Sequence, residues 1–259
     1  MHSRVPVLAA LTLLVATTAT ACGDDKSKTG AAPSASASAA AAPTTPAAPP
    51  KPKTMPALIV DSLGPYIGQI RVDMKQENWP EKLNAAVKDL PIEGKQVTLI
   101  AEKKARTPDV AAVVAELGRA GAPTVLIKTD GRDDVPKELL VTPPDKVSNP
   151  PGCSLTVSVL KDLSTAVWPF KGGLGKKHRK GFAGPDLSNT GDAIKKDLVI
   201  CDSSFAFFSA DDTISWEMAY NLAGTLKVVD EKSDKGKKIE TLVLLAEAPV
   251  AGRAVTLKK

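Results

Sequence analysis

The sequence predicts an α+β protein in which two small β-β-α-β-α-β sandwich units follow a signal peptide and a disordered Ala/Pro-rich linker. Three observations support this prediction. The N-terminus is apolar after a basic start, the next segment has almost no large apolar side chains, and the remaining chain twice alternates strand-like with helix-like patterns. The predicted boundaries are a signal peptide at 1–21, a linker at 22–55, a first domain at 56–142, a second linker at 143–152 and a second domain at 153–259.

The first 21 residues have the organisation of an export signal. Arg4 and the amino group give a positive start, an apolar run follows, and the small residues Ala19-Thr20-Ala21 precede Cys22. Small residues before a cysteine resemble a bacterial lipobox, so we expect a lipoprotein signal peptide and lipidation of Cys22. An ordinary secretory signal cut after Ala-x-Ala, with Cys22 left as a free thiol, fits the same residues.

The linker from Gly23 to about residue 55 consists mainly of Ala, Pro, Ser, Thr and Lys. Such a composition cannot build a core, and its prolines favour extended conformations. We therefore expect a spacer between an anchor and the folded domains.

The first unit opens with two predicted strands, "PALIVD" and "YIGQIRVDM", separated by a turn at Gly64 and Pro65. A helix follows, with Asn78 and Glu81 in the spacing of a capping box. Its buried positions are predicted to be Trp79, Leu83, Ala86, Val87 and Leu90.

The unit continues with the strand "QVTLIA" and a second helix. Thr107, Pro108 and Asp109 provide a cap, a first-turn proline and a first-turn acid. The predicted buried stripe is Val110, Val113, Val114 and Leu117. Gly121 ends the helix, and "PTVLIKT" is the last strand.

The second unit repeats this order after the proline-rich segment 143–152. Its predicted strands are "CSLTVSVL", "STAVWPF", "SFAFFSA" and "IETLVLLAE", and its helices are a short one in "TGDAIKKDL" and one carrying Ile214, Met218, Leu222 and Leu226. The matching order predicts a diverged tandem duplication.

Cysteine usage also favours export. The chain has three cysteines, an odd number, and a spare thiol is a liability in an oxidising compartment. If Cys22 carries lipid, Cys153 and Cys201 remain as a disulfide pair whose loop closure is worth at most ~4 kcal/mol. Two buried free cysteines are the alternative.

The sequence offers no constellation of catalytic residues. His178 is the single histidine after the signal peptide, too few for a histidine-based zinc site, and no G-x-S-x-G motif is present. We therefore expect no enzyme activity, no cofactor and no metal. The formal net charge of +5 is too modest to indicate nucleic-acid binding.

The segment "KGGLGKKHRK" fails as a phosphate-binding loop because Phe170 replaces a required glycine and Lys177 replaces the required Ser or Thr. What remains is a cationic loop whose candidate anionic-ligand residues are Lys171, Lys176, Lys177, Arg179 and Lys180. It suits anionic lipid head groups or cell-wall carboxylates. A loop that only aids solubility has the same composition.

The stretch "VTLIAEKKARTPDVAAVVAELGRAGAPTVLI", with its strand, Pro108-led helix and apolar strand, resembles the periplasmic domain of the ExbD/TolR family of biopolymer-transport proteins. The resemblance covers about 56–130, and 153–250 looks like a divergent copy. It implies a domain that docks to envelope partners, self-associates and, in the TolR branch, contacts peptidoglycan. Family members also carry a transmembrane helix with a buried aspartate, whereas the apolar segment here contains no acid and ends at a cleavage signal.

We therefore expect a non-catalytic adaptor, or a peptidoglycan- or partner-binding module, lipid-anchored in the bacterial cell envelope with its domains in the periplasm. The expected partners are the membrane, through the anchor, then envelope proteins or peptidoglycan, and a second copy in a homodimer. The alternative is an accessory subunit of an ExbB/ExbD- or TolQ/TolR-type motor whose uncleaved N-terminal helix spans the membrane.

Overall fold

The computed structural model describes residues 54–231 and 239–257. The predicted signal peptide, Cys22 and nearly all of the first linker lie outside these residues. Residues Lys51–Lys259 cluster as one unit, so both sheets described below belong to a single body.

The first sheet has six strands in the order β3-β2-β1-β4-β5-β6. Strands β1, β4 and β5 are parallel to one another, and β2, β3 and β6 are added antiparallel. The elements are β1 Leu58–Asp61, β2 Gly64–Ile67, β3 Ile70–Arg71, α1 Trp79–Lys88, β4 Val97–Ala101, α2 Thr107–Arg119, β5 Val125–Lys128 and β6 Glu138–Val141.

The second sheet has five strands in the order β11-β10-β7-β8-β9. Strands β7, β10 and β11 are parallel, and β8 and β9 are antiparallel additions. A short 3-10 helix, Pro144–Lys146, precedes this half. The elements are β7 Leu155–Val159, β8 Thr165–Pro169, β9 Lys176–His178, α3 Leu187–Ile200, β10 Phe205–Ala210, α4 Trp216–Glu231 and β11 Thr241–Leu244.

Two mixed sheets and four helices make the described fold mixed α and β, as the sequence predicts. Strands β6 and β9 were not predicted, and β3 was predicted only as part of a longer second strand. The predicted turn at Gly64 and Pro65 is wrong, because both residues begin β2 and the turn is at Ser62 and Leu63. Gly68, with φ of 64°, then splits the predicted second strand into β2 and β3.

Both predicted helix caps in the first half differ from the structure. Asn78 precedes α1, but its side chain makes no capping hydrogen bond, so the predicted capping box does not form. Thr107 is the first helical residue of α2 rather than its cap, and its hydroxyl donates to the Ile214 carbonyl oxygen at 3.0 Å. A contact between distant segments has therefore replaced a local one.

The buried stripe predicted for α2 is confirmed. Val110, Val113, Val114 and Leu117 are fully buried in a core that includes residues of both sheets. A second apolar cluster covers the other face of the second sheet, where Trp168 and Phe207 pack against Val255 of the C-terminal segment. Because both faces are covered, every residue of β7 is buried.

The two halves meet where α2 and α4 begin. Arg106 and Ser215 form an isolated antiparallel bridge. The Trp216 amide donates to the Ala105 carbonyl at 2.8 Å, and the Thr107 amide donates to the Ile214 carbonyl at 3.4 Å. The Trp216 indole also donates to the Thr129 hydroxyl at 2.8 Å. Backbone and side-chain bonds therefore join the halves within the shared core.

Candidate anionic-ligand surface

The five predicted anionic-ligand residues lie on and around β9, at the outer edge of the second sheet. We call residues 171–200 the edge surface; they comprise the turn before β9, the strand, the turn after it and α3. Among the described strands, β9 pairs with β8 alone and forms one edge of the sheet.

A glycine-rich turn after β8 reverses the chain, so that β9 pairs antiparallel with β8. Pro169 ends β8, and Gly172 follows with φ of 84°. A Cβ on Gly172 would lie 2.7 Å from the Ala254 amide nitrogen, so glycine is required by both its backbone angle and this close approach. The Gly173 amide donates to the Gly252 carbonyl at 2.9 Å, which fixes the turn against the C-terminal segment.

Alternation along β9 separates two of the predicted lysines. Lys176 is paired with Val167, whose side chain belongs to the main core, so Lys176 lies on the face that carries the helices. Lys177 is paired with Ala166 and lies on the opposite face. The structure therefore does not bring all five predicted residues into one site.

Both of these lysines form ion pairs. Lys176 pairs with Asp197 of α3, and the Lys177 ammonium lies 2.9 Å from the Asp162 carboxylate. Hydrogen bonds from Ser164 and Lys177 hold the pKa of Asp162 well below its usual range. Asp162 therefore stays anionic at any pH near neutrality and continues to neutralise Lys177.

The other three predicted cations are free to bind an anion. Lys171, Arg179 and Lys180 are exposed and form no ion pair with any described residue. Arg179, Lys180 and Lys177 line an open cleft of about 590 Å³, together with Asp162 and Ser164. A carboxylate or phosphate in this cleft would meet two unneutralised cations beside the Asp162–Lys177 ion pair.

Charge is concentrated on the edge surface. Its 30 residues contain seven Lys or Arg and three Asp, a net charge of +4, against +5 for the whole chain. The remaining residues are therefore almost balanced. A localised positive potential attracts anionic surfaces more strongly than the same charge dispersed over a protein.

A disulfide joins Cys153, before β7, to Cys201, after α3. The structure thus brings the two cysteines of the predicted pair to disulfide distance. The bond links the residue after α3 to the segment just before β7, whose first residue, Leu155, pairs with Pro169 at the end of β8. There a mainly apolar cleft of about 260 Å³ is lined by the disulfide, Leu155, Trp168, Pro169, Leu174 and Ile200, with Lys171, Lys176 and Asp197 also in its lining.

His178 does not contribute an evident reactive group. Its ring is partly buried, and Nε2 is buried without a hydrogen-bond partner among the described residues. Within residues 54–231 and 239–257, no group of three or more His, Cys, Asp or Glu side chains is placed to hold a metal ion.

Sequence reasoning missed the acids that neutralise Lys176 and Lys177, because Asp197 and Asp162 are 21 and 15 residues away in the chain. It also gave no role to the exposed apolar residues Leu174, Phe182 and Ile200. A signal for the first two existed, since each is an isolated large apolar residue in a stretch of Gly and Lys.

Comparison with known proteins gives no match: no protein-family model, no curated protein and no solved structure is similar to this chain. Within residues 54–231 and 239–257, no helix has both the length and the apolar character needed to cross a bilayer.

Proposed function

We propose that this protein is a non-catalytic envelope adaptor, anchored in the membrane through lipid on Cys22, that presents two ExbD/TolR-like units and contacts an anionic envelope structure through the edge surface. The observation that carries the proposal is the edge surface itself. It holds a net charge of +4, and Lys171, Arg179 and Lys180 are left without partners among the described residues.

The strand orders support a duplicated unit. Strands β3-β2-β1-β4-β5 and β9-β8-β7-β10-β11 have the same neighbours, the same parallel and antiparallel pairings and the same positions of the helices in the chain. We infer that each half is a β-β-α-β-α-β unit with a short extra strand after the first hairpin, and that β6 was added to the first unit.

The junction between the halves supports the same inference. Arg106 lies five residues after the end of β4, and Ser215 lies five residues after the end of β10, so the bridge joins equivalent positions. The two hydrogen bonds beside it are also equivalent: in each, the residue after the bridge position in one half donates its amide to the residue before the bridge position in the other half. This is the pattern of a two-fold interface, here formed between two halves of one chain. We infer that the internal pair takes the place of a homodimer.

Retention on isolated envelope surfaces tests the proposed contact. The chain from Gly23 onward keeps every described residue and has no lipid anchor, so any binding must come from the protein. We expect it to be retained at low salt on peptidoglycan sacculi or on anionic lipid vesicles, and released at high salt. Failure to bind either surface would contradict the proposal.

A triple variant, Lys171→Gln with Arg179→Gln and Lys180→Gln, tests whether this binding depends on the charge of the edge surface. None of these residues neutralises a described acid, so their loss leaves no carboxylate unpaired. With about 1 kcal/mol for each cation near an anionic surface, the triple variant should bind roughly 100-fold more weakly. The matched control removes three exposed lysines of the first half, Lys75, Lys88 and Lys95, and should bind much better than the edge variant.

A further inference from the structure

Three large apolar side chains project from the edge surface. Leu174 is 98% exposed, Ile200 is 81% exposed and Phe182 is fully exposed. Their exposure leaves apolar area in water that burial against a partner would remove. Single exposed apolar residues are common, but here three occur within the same 30 residues that carry most of the net charge.

The backbone holds Phe182 at the tip of one turn and Leu174 just after another. Lys180 and Pro185 form a bridge and the Gly181 amide donates to the Gly184 carbonyl at 2.7 Å, so Phe182 is at the tip of a closed turn. Leu174 follows the turn that is bonded to Gly252. Neither side chain contributes to the core of the protein.

In the sequence, basic residues lie close to both of these apolar residues. Leu174 is three residues after Lys171 and two before Lys176, and Phe182 follows Arg179 and Lys180 by three and two residues. Strand β9 joins the two turns along the edge of the sheet. Along the chain, the edge surface thus alternates exposed apolar side chains with basic residues.

This combination distinguishes between the two anionic surfaces of an envelope. Peptidoglycan offers carboxylates to the cations but no apolar layer to cover a Leu or a Phe. A bilayer offers both, since phosphate head groups lie directly above acyl chains and interfacial proteins use apolar side chains and basic residues together. The exposed Leu174 and Phe182 side chains therefore favour a bilayer over peptidoglycan as the partner of the edge surface.

We propose that the edge surface docks on an anionic lipid bilayer, with Leu174 and Phe182 inserted between head groups and Lys171, Arg179 and Lys180 bound to phosphates. This inference rests on the proposed function, because it names the anionic partner of the same surface. Docking would hold this edge of the second sheet against the membrane to which Cys22 is proposed to anchor the protein.

Binding to vesicles of phosphatidylglycerol and phosphatidylcholine tests the apolar part separately from the charge. In the oxidised chain from Gly23 onward, Leu174→Ser and Phe182→Ser should each weaken vesicle binding about tenfold, because each removes one buried apolar side chain from the complex. Neither change should alter retention on sacculi. The control pair, Leu63→Ser and Leu140→Ser, removes exposed apolar residues of the first half and should leave vesicle binding unchanged.

A second readout reports insertion directly. Leu174→Trp should show a blue shift of its emission on anionic vesicles and quenching by lipids brominated on the acyl chain, whereas Leu63→Trp should show neither. If the charge variant loses binding while both serine variants bind like the wild type, the membrane proposal is wrong and the proposed function stands. If the wild-type chain is retained on sacculi but does not bind vesicles, the membrane proposal is likewise wrong and the proposed function stands. Binding to neither surface contradicts both proposals.

Discussion

At the scale of single residues, Trp216 and Thr129 show how the two halves depend on each other. The Trp216 indole is fully buried, and its N–H donates to the Thr129 hydroxyl, which belongs to the other half of the fold. A buried N–H without an acceptor costs about 1–3 kcal/mol. We expect Thr129→Val, which keeps the shape but removes the acceptor, to lower the free energy of unfolding by that amount in urea denaturation.

Two further variants separate the lost hydrogen bond from other effects of the Thr129 substitution. Thr129→Ser keeps the hydroxyl and should cost about 1 kcal/mol or less. In a Trp216→Phe background the indole N–H is already absent, so Thr129→Val should cost clearly less than in the wild type. Equal costs in both backgrounds would show that the hydrogen bond does not stabilise the junction.

At the scale of elements, the Cys153–Cys201 disulfide ties the C-terminal end of α3 to the start of β7. It closes a loop that includes β7, β8, β9 and α3, with a sequence separation of 48. Constraining a loop of this length in the unfolded chain stabilises a protein by about 2–4 kcal/mol. The double substitution of Cys153 and Cys201 by Ser should lower the free energy of unfolding by this amount.

Hydrogen exchange would locate the effect of losing the disulfide. Without it, amides near the C-terminal end of α3 should show a larger increase in exchange rate than those of α1, which the disulfide does not link. Reduction of the wild-type disulfide should reproduce both effects. Uniform exchange throughout the protein, or an unchanged unfolding midpoint, would contradict this role.

Elements with a strong apolar period could be predicted from the sequence, and elements defined by their neighbours could not. The stripe from Val110 to Leu117 follows from spacing alone and is fully buried. Strand β9 consists of Lys176, Lys177 and His178, whose side chains give no strand signal, and it forms because β8 offers an unpaired edge. The Thr107 hydroxyl was expected to cap its own helix, but Ile214 provides an acceptor that only the fold brings near.

At the scale of the whole molecule, two halves of similar topology share one core, and the second half carries the basic edge surface. The sequence predicts two domains with a linker at 143–152, and the fold shows apolar side chains from both sheets in one cluster. The candidate cations were predicted by composition, since they are adjacent in the chain. Their ion pairs and the apolar cleft beside them were not, because Asp162, Asp197 and Ile200 reach the site only through folding.

Anchorage through Cys22 is the claim on which the proposed role depends most. Metabolic labelling with a palmitate analogue in the native host, followed by mass spectrometry of the N-terminus, tests it directly. We predict a labelled protein that begins at a lipid-modified Cys22, and loss of the label in Cys22→Ala. An unlabelled chain that retains Met1 would contradict anchorage through Cys22 and would favour a motor accessory whose N-terminal segment stays in the membrane.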